Sequence, residues 1–363
     1  MKPLHLYIHI PFCRKKCAYC DFYSLTSEER IPDYMHALKC ALRAHAKDLD
    51  SKYEINTIYF GGGTPNILSG KQLNEIFICI RENFHLANNT ECTIEINPEF
   101  SSSAEALQAL RDIGFNRLSI GIQSLSDRDF GVLGRLHTAD TAMRCVKHAR
   151  TVFDNISLDL IYAVPGQSRE VLKRNIDRIL YFSPEHISAY NLTYEPGTPL
   201  TTAVENREIT TADEESERSD FLFIHEYLTT RGYEHYEISN FARPGFRSRH
   251  NSAYWSKHDY LGIGPSAHSK IGDLRCSYHP DLQAFLQKPE HFHTREAASE
   301  ADILITRLRT SEGLMIDSVR SDTWDTVLDY AKDHPRWFMT DAGSIRCTSE
   351  GWLMLDTILE ELV

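Results

Sequence analysis

The sequence predicts an α/β fold: a parallel sheet, covered by helices, that curls toward a barrel and precedes a smaller α+β region, largely helical. Three observations predict it. Six short runs have strand length and composition, a helical stretch separates each consecutive pair, and the pattern changes beyond residue 200. A chain of 363 residues can bury a large core plus a smaller one. The expected division is 1–232 for the barrel and 233–363 for the second domain.

The first run, 4–10, alternates apolar side chains and ends at Pro11; 32–48 is then helical, with Met35, Leu38 and Leu42 on one face. The second strand, 55–60, ends in Gly61-Gly62-Gly63-Thr64-Pro65, and 71–84 is helical. Asn97-Pro98 closes the third strand, 92–96, and Gly114 stops the helix 104–113. The fourth strand, 117–121, runs into Ile122-Gln123-Ser124 and is followed by a helix over 138–152. A fifth strand over 156–161, a helix over 168–180 and a sixth strand over 186–192 complete the series. Beyond it, 205–217 is acid-rich, and Thr211-Ala212-Asp213-Glu214 has the form of a capping box. It precedes a helix with Phe221, Ile224 and Leu228 on one face that stops at Arg231-Gly232. Short strands and loops are expected from Tyr233, then helices near 301–309, 322–332 and 348–362.

Composition narrows the function. Acidic residues outnumber Lys and Arg by 51 to 39, for a net charge of -12, and no basic patch stands out, so no nucleic-acid partner is expected. No apolar stretch approaches the ~20 residues that span a bilayer, and no signal peptide is visible. The nine cysteines form no disulfide framework, and Cys40, Cys79, Cys92, Cys145, Cys276 and Cys347 fit as small buried apolar residues. These features indicate a cytoplasmic protein in a reducing compartment, with peripheral membrane contact left open.

The chemistry concentrates in Cys13-Arg14-Lys15-Lys16-Cys17-Ala18-Tyr19-Cys20, directly after the first strand. Three closely spaced cysteines make a thiolate claw suited to zinc, copper(I) or an iron–sulfur cluster. A structural zinc site normally closes with four protein ligands, and an electron-transfer cluster takes four cysteines. Here the next position that could supply one, two residues on, is Phe22. Three cysteines on a four-iron cube leave one iron open to a chelating small molecule. Arg14, Lys15 and Lys16 are expected to favour thiolate over thiol. The glycine triplet, Glu95, Gln123 and Asp159 also fall near or toward the C-terminal ends of strands, the functional face of α/β barrels.

The C-x3-C-x2-C spacing resembles the signature of the radical S-adenosylmethionine (SAM) superfamily. That resemblance implies an incomplete (β/α)6 radical SAM barrel, a [4Fe–4S] cluster on Cys13, Cys17 and Cys20, and SAM bound by its amino and carboxylate groups at the open iron. The glycine segment looks like the one whose backbone meets the methionine part of SAM, which assigns Gly62, Gly63 and Thr64. Resemblance to the oxygen-independent coproporphyrinogen oxidase branch assigns further SAM contacts. They are Tyr7 and Tyr19 lining the site, Glu95 as the carboxylate facing the cofactor, and Gln123, Arg135 and Asp159 as polar partners.

His250-Asn251-Ser252-Ala253-Tyr254-Trp255 is similar to a motif of the HemW-type haem chaperones, whose histidine is implicated in haem binding. Histidine is a frequent haem ligand and flanking aromatics offer a flat apolar wall. His258, His268 and Cys276 are rival ligands. Two departures separate the chain from the oxidases it resembles: Phe22 where they carry a further cysteine, and only twelve residues before Cys13. The resemblance thus implies a haem carrier rather than a turnover enzyme, holding a [4Fe–4S] cluster, SAM and haem. Its expected partners are haem and a haem-acceptor protein, a membrane-associated respiratory enzyme among the candidates; homodimerisation is left open. The alternative it carries is oxidative decarboxylation of coproporphyrinogen III.

Overall fold

The computed structural model describes residues 1–49, 52–100 and 103–363. Six parallel strands follow one another across one sheet: β1 (Lys2–Ile10), β2 (Tyr53–Gly62), β3 (Leu86–Ile96), β4 (Arg117–Gln123), β5 (Ile156–Tyr162) and β6 (His186–Asn191). The connecting helices are α1 (Ile31–Leu49), α2 (Gly70–Asn83), α3 (Ala104–Ile113), the pair α4 (Asp127–Leu133) and α5 (Ala139–Arg150), and α6 (Arg169–Leu180). Side chains alternate across each strand. Leu4, Leu6, Ile8 and Ile10 of β1 are fully buried, as are Leu38 and Leu42 of α1. The opposite positions of the strands are polar, and they line the inside of the barrel.

α4 was not expected. Its seven residues include Gly131, and only Asp129, Phe130 and Leu133 are buried, too short a pattern to stand out. Two helices follow β6, the short α7 (Pro199–Glu205) and the longer α8 (Glu214–Thr229). The expected capping box is corrected here: the N-cap of α8 is Asp213, whose carboxylate accepts from Ser216 N at 2.7 Å, and Thr211 lies outside the helix. An acid at that place also suits the positive end of the helix dipole.

The later chain extends the same sheet at both edges. β7 (Glu234–Glu237) pairs with β8 (Asn240–Ala242), which lies antiparallel on β6. After the short helix α9 (Arg249–Tyr254), β9 (Asp259–Ile263) runs parallel to β1 on its free side. β10 (His268–Ile271), β11 (Leu274–Ser277) and β12 (Thr294–Ala297) continue outward as antiparallel neighbours. Helix α10 (Leu282–Gln287) packs against α1, while α11 (Glu300–Leu308) and α12 (Ser321–Asp333) pack on a small sheet of β13 (Leu314–Met315), β14 (Phe338–Asp341) and β15 (Ser344–Cys347). The single terminal helix expected over 348–362 is two, α13 (Ser349–Leu353) and α14 (Leu355–Leu362), broken at Met354.

α9 closes the N-terminal end of the barrel. Its first turn has amide groups without helical partners. Arg249 N and His250 N direct theirs to the Glu91 carboxylate of β3, at 3.2 and 3.0 Å.

Candidate functional site

The claw leaves β1 at Pro11 and is pinned by backbone bonds. Cys13 N donates to Leu25 O at 2.9 Å, Ala18 N to Leu133 O at 3.1 Å, and Cys20 N to Cys17 O at 3.3 Å. The end of β2 lies against its root: Gly63 N donates to Ile10 O and Thr64 N to Phe12 O, both at 2.8 Å. Thr64 Oγ1 is 3.3 Å from Cys13 Sγ. Glycine is needed here by the protein itself. A Cβ on Gly63 would stand 2.7 Å from Phe12 O, and one on Gly62, at φ +114°, would stand 2.8 Å from the His9 ring.

The basic run sits on the outer side of the claw, from where Lys16 still favours the Cys20 thiolate. Arg14, Lys15 and Lys16 are exposed, and the Arg14 guanidinium lies 4.4 Å over the Phe100 ring. A buried cation at the claw is Arg135, just after the left-handed Gly134 that ends α4. It donates Nη1 to Cys17 Sγ at 3.5 Å and Nη2 to Gly121 O at 2.8 Å. Burial pushes the Cys13 and Cys20 thiols up, Cys20 to about 11, against the Thr64 and Ser24 hydroxyls and Arg135 at Cys13 and against the Phe22 amide and Lys16 at Cys20, while the neighbouring cysteines add to the rise. Coordination to a metal, which deprotonates a thiol outright, would be what makes these thiolates. The Phe22 side chain carries no ligand atom and the residue is 71 % exposed, while its backbone amide hydrogen-bonds Cys20.

Above the claw the predicted SAM contacts fall into connected groups. Glu95 accepts from Tyr59 Oη at 2.8 Å and from Gly62 N at 3.3 Å, which joins it to the glycine segment. A Cβ on Gly61 would touch the Tyr7 and Tyr59 rings and Glu95 Oε1, so the three meet at that glycine. The Glu95 carboxyl stands at about 7: burial raises it most and Asp159 adds to that, while Tyr59, Gly62 and Arg117 pull it down. Asp159 accepts from Ser119 Oγ and Ser157 Oγ, each at 3.0 Å; burial raises its pKa against those bonds. Tyr19 packs with a second apolar cluster around Leu133, Ile161 and Leu200, beside Arg135.

Two atoms of this region test whether a ligand fits. Gln123 Oε1 and Arg135 Nε are buried without a hydrogen-bond partner in the protein. Buried polar atoms are normally paired, and Gln123 is also held at φ +66°, a conformation non-glycine residues seldom adopt. A small ligand carrying both donors and acceptors would satisfy the pair. The three cysteines with an adjacent guanidinium likewise suit an anionic iron–sulfur centre. Among the described residues, no three His, Cys, Asp or Glu side chains converge as a one-ion site requires.

Deeper in the barrel are residues that sequence reasoning missed. Arg117 of β4 is 1 % exposed, and its Nε has no partner. His186 is fully buried between Ser157 Oγ and Tyr236 Oη, both at 2.8 Å. The signal was available: His5, Tyr7 and His9 of β1, Thr57 and Tyr59 of β2, Thr93 and Glu95 of β3, and Arg117 and Ser119 of β4 alternate with apolar residues. A parallel strand buried on both faces reads as a continuous apolar run. Polar residues at every second place therefore mark a hydrophilic interior.

His250 lies at the floor of this interior, 1 % exposed. Its Nδ1 is 2.6 Å from Thr57 Oγ1 and its Nε2 2.9 Å from Tyr254 Oη, while its ring stacks on Tyr59 with centroids 4.9 Å apart. Both nitrogens are committed, so neither offers a free lone pair as folded. Of the rival ligands, His268 is exposed on β10, Cys276 is buried on β11, and His258 is exposed and stacks on His5 at 5.4 Å. The sequence places neither His5 nor Thr57 in any site.

The geometry agrees with what the chain is similar to. Residues 7–179 match the Radical SAM superfamily. The heme chaperone HemW of Escherichia coli (strain K12) is 37% identical over 278 residues, 75% of this chain and 71% of that one. The heme chaperone HemW of Bacillus subtilis (strain 168) is 36% identical over 319 residues, 84% of this chain and 83% of that one. Among solved structures, coproporphyrinogen III oxidase (HemN) from Escherichia coli superposes with a TM-score of 0.83 at 24% identity, covering 99% of this chain and 90% of that one. That likeness carries the fold: an incomplete barrel with a mixed C-terminal region. The chain belongs to the family of the heme chaperone HemW, within the Radical SAM superfamily.

Proposed function

We propose that this protein is a haem carrier that holds a [4Fe–4S] cluster with exchangeable SAM, binds haem and passes it to an acceptor protein. The observation that carries the reading is the similarity, at 36% and 37% identity, to chains named heme chaperones. Cys13, Cys17 and Cys20 would hold the cluster, whose fourth iron, when the cluster is bound, supplies a chelation point for SAM. Around it Glu95 accepts from an ammonium, Gln123 and Asp159 pair with hydroxyl groups, and Arg135 offsets negative charge beside Cys17. Tyr7 and Tyr19 border the same space. A membrane-associated respiratory enzyme is one acceptor this reading accommodates.

The test is anaerobic reconstitution with iron and sulfide, then haem titration with and without SAM, then mixing with an apo-haem protein. The expected results are a cluster whose electron paramagnetic resonance (EPR) spectrum changes on adding SAM, a stoichiometric Soret band, and loss of that band to the acceptor. SAM-dependent formation of protoporphyrinogen from coproporphyrinogen III would overturn it in favour of the oxidase reaction. Absence of haem binding by the intact, cluster-loaded chain would overturn it as well.

A further inference from the structure

Arg117 opens β4 deep inside the barrel and is 1 % exposed. A guanidinium carries five N–H donors and no acceptor. Among the described residues, none of the five meets a hydrogen-bond acceptor or an ion-pair carboxylate. Directly across the ladder, Thr93 of β3 is fully buried and its Oγ1 is likewise unpaired. The charge of Arg117 is felt by Tyr59, Glu95, Asp159, His186, Tyr236 and His250, which belong to six different elements. The guanidinium thus stands in the middle of the interior. Buried polar atoms are normally paired, and a buried charge without a partner is costly.

The neighbours are committed elsewhere. Tyr59 Oη is given to Glu95, both His186 nitrogens to Ser157 and Tyr236, and the Asp159 carboxyl to Ser119 and Ser157. Burial raises Glu95 and Asp159 toward their neutral forms, which tolerate a further negative group nearby. What remains is a set of donors, five N–H groups and a facing hydroxyl, around one positive charge. That set selects an acceptor with one negative charge, and the planar fork of a guanidinium matches the two oxygens of a carboxylate. A dianion such as phosphate would face Glu95 and Asp159 with a single cation to hold it. Gln123 closes the seven-residue strand that Arg117 opens, about 20 Å away, so the donors lie toward the floor of the barrel and apart from the claw.

We infer that Arg117 and Thr93 hold one monoanion of the carboxylate class inside the barrel, at a site separate from the SAM contacts. Arg117 supplies the charge and a two-pronged bond, and Thr93 donates a third hydrogen bond from the opposite strand. The carboxylate is either a free small acid or the end group of a longer molecule.

The test is calorimetric titration of the full, cluster-reconstituted chain with sodium formate, and separately with sodium octanoate, in a buffer free of chloride and other carboxylates. Thermal melts confirm that each variant folds. The parent is expected to bind formate saturably and in equal number to the chains. Arg117→Met is expected to weaken that binding on the order of tenfold or more, the effect of losing charge-assisted hydrogen bonds. Thr93→Val should weaken it less, and Arg117→Lys, which keeps the charge without the fork, should fall between Arg117→Met and the parent. Octanoate bound where formate is not, and lost in Arg117→Met, upholds the site and makes its carboxylate the end of a larger ligand. If the folded parent takes up neither probe, or if folded Arg117→Met and Thr93→Val take up formate as the parent does, the site is overturned. A parent chain that binds formate but no haem upholds this site while overturning the carrier reading.

Discussion

Tyr59 donates its hydroxyl to Glu95 at 2.8 Å, holding to about 7 a carboxyl that burial drives upward from 4.5. The sign of the linkage follows. A carboxyl with a raised native pKa contributes stability that is complete below about 4.5 and is lost as pH rises through about 7. The unloaded protein should therefore melt at lower temperature as pH rises across that window. Glu95→Gln should flatten this slope and raise stability above it by on the order of 2 kcal/mol. Tyr59→Phe should move the midpoint upward, because the lost bond favoured the charged form. Melting temperature against pH for the three proteins reads all of this; a parallel slope in Glu95→Gln would show another group responsible.

Arg117 gives a prediction that changes sign with pH. Its charge lowers both Glu95 and Asp159, yet it makes no ion pair within the described residues. At low pH both carboxyls are neutral and the buried guanidinium has no counter-charge. Arg117→Met should then be stabilising by ~1–3 kcal/mol, the usual gain on replacing a buried charge by packed apolar atoms. Above the Glu95 midpoint it should be destabilising, because two buried carboxylates lose their nearest cation. Denaturant titrations on either side of about pH 7 decide it, the midpoint being that of Glu95. A substitution effect of constant sign would mean that Arg117 is neutralised elsewhere.

The six strands were legible because in each, apolar residues recur at alternate places within a short run, with glycine or proline near its ends, as with Phe60 before Gly61 or Ile96 before Asn97-Pro98. What lay beyond local pattern was pairing. Nothing in Asp259–Ile263 says that it runs parallel to β1 across some 250 residues, and nothing in Asn240–Ala242 says that it caps β6. The claw and Glu95 were readable from motif and resemblance. Arg117, His5 and Thr57 were not assigned because no motif carries them; only the alternation within their strands marks them as inward-facing. His250 shows the opposite failure: its motif is plain, while the burial of both its nitrogens depends on Thr57 and Tyr254.

Gly63 is predicted to be intolerant of even one methyl group. A Cβ there would stand 2.7 Å from a backbone oxygen and 3.0 Å from Cys13 Sγ. Neither can retreat without moving the root of the claw. Gly63→Ala should cost ~1–3 kcal/mol, the range for forcing atoms into a packed site, and should lower iron retained per chain after reconstitution. Gly131→Ala, inside α4 with nothing within 4 Å of the added carbon, is the control: it should stabilise by ~0.5–1 kcal/mol and leave iron retention unchanged.

The last prediction concerns what fastens the C-terminal region to the barrel edge. Glu237 of β7 is fully buried and meets Arg309, after α11, at 3.0 and 3.2 Å through Nη2 and Nε. Asn240 also bonds it, and Arg309 lies 3.9 Å over the Trp255 ring. The backbone continues the connection, with Ile238 N donating to Arg309 O at 3.1 Å and Ser311 N to Tyr236 O at 3.0 Å. Burial raises the Glu237 pKa, and Arg309 is the largest influence pulling it back. Arg309→Ala would leave a buried carboxylate with too few partners and should destabilise by ~3–5 kcal/mol at neutral pH. Because the orphaned acid can escape by taking up a proton, the penalty should shrink as pH falls. Glu237→Gln added to Arg309→Ala should recover much of the loss at neutral pH and remove its pH dependence. Equal penalties in the single and double variants would mean that Arg309 acts through its stacking on Trp255 rather than through charge.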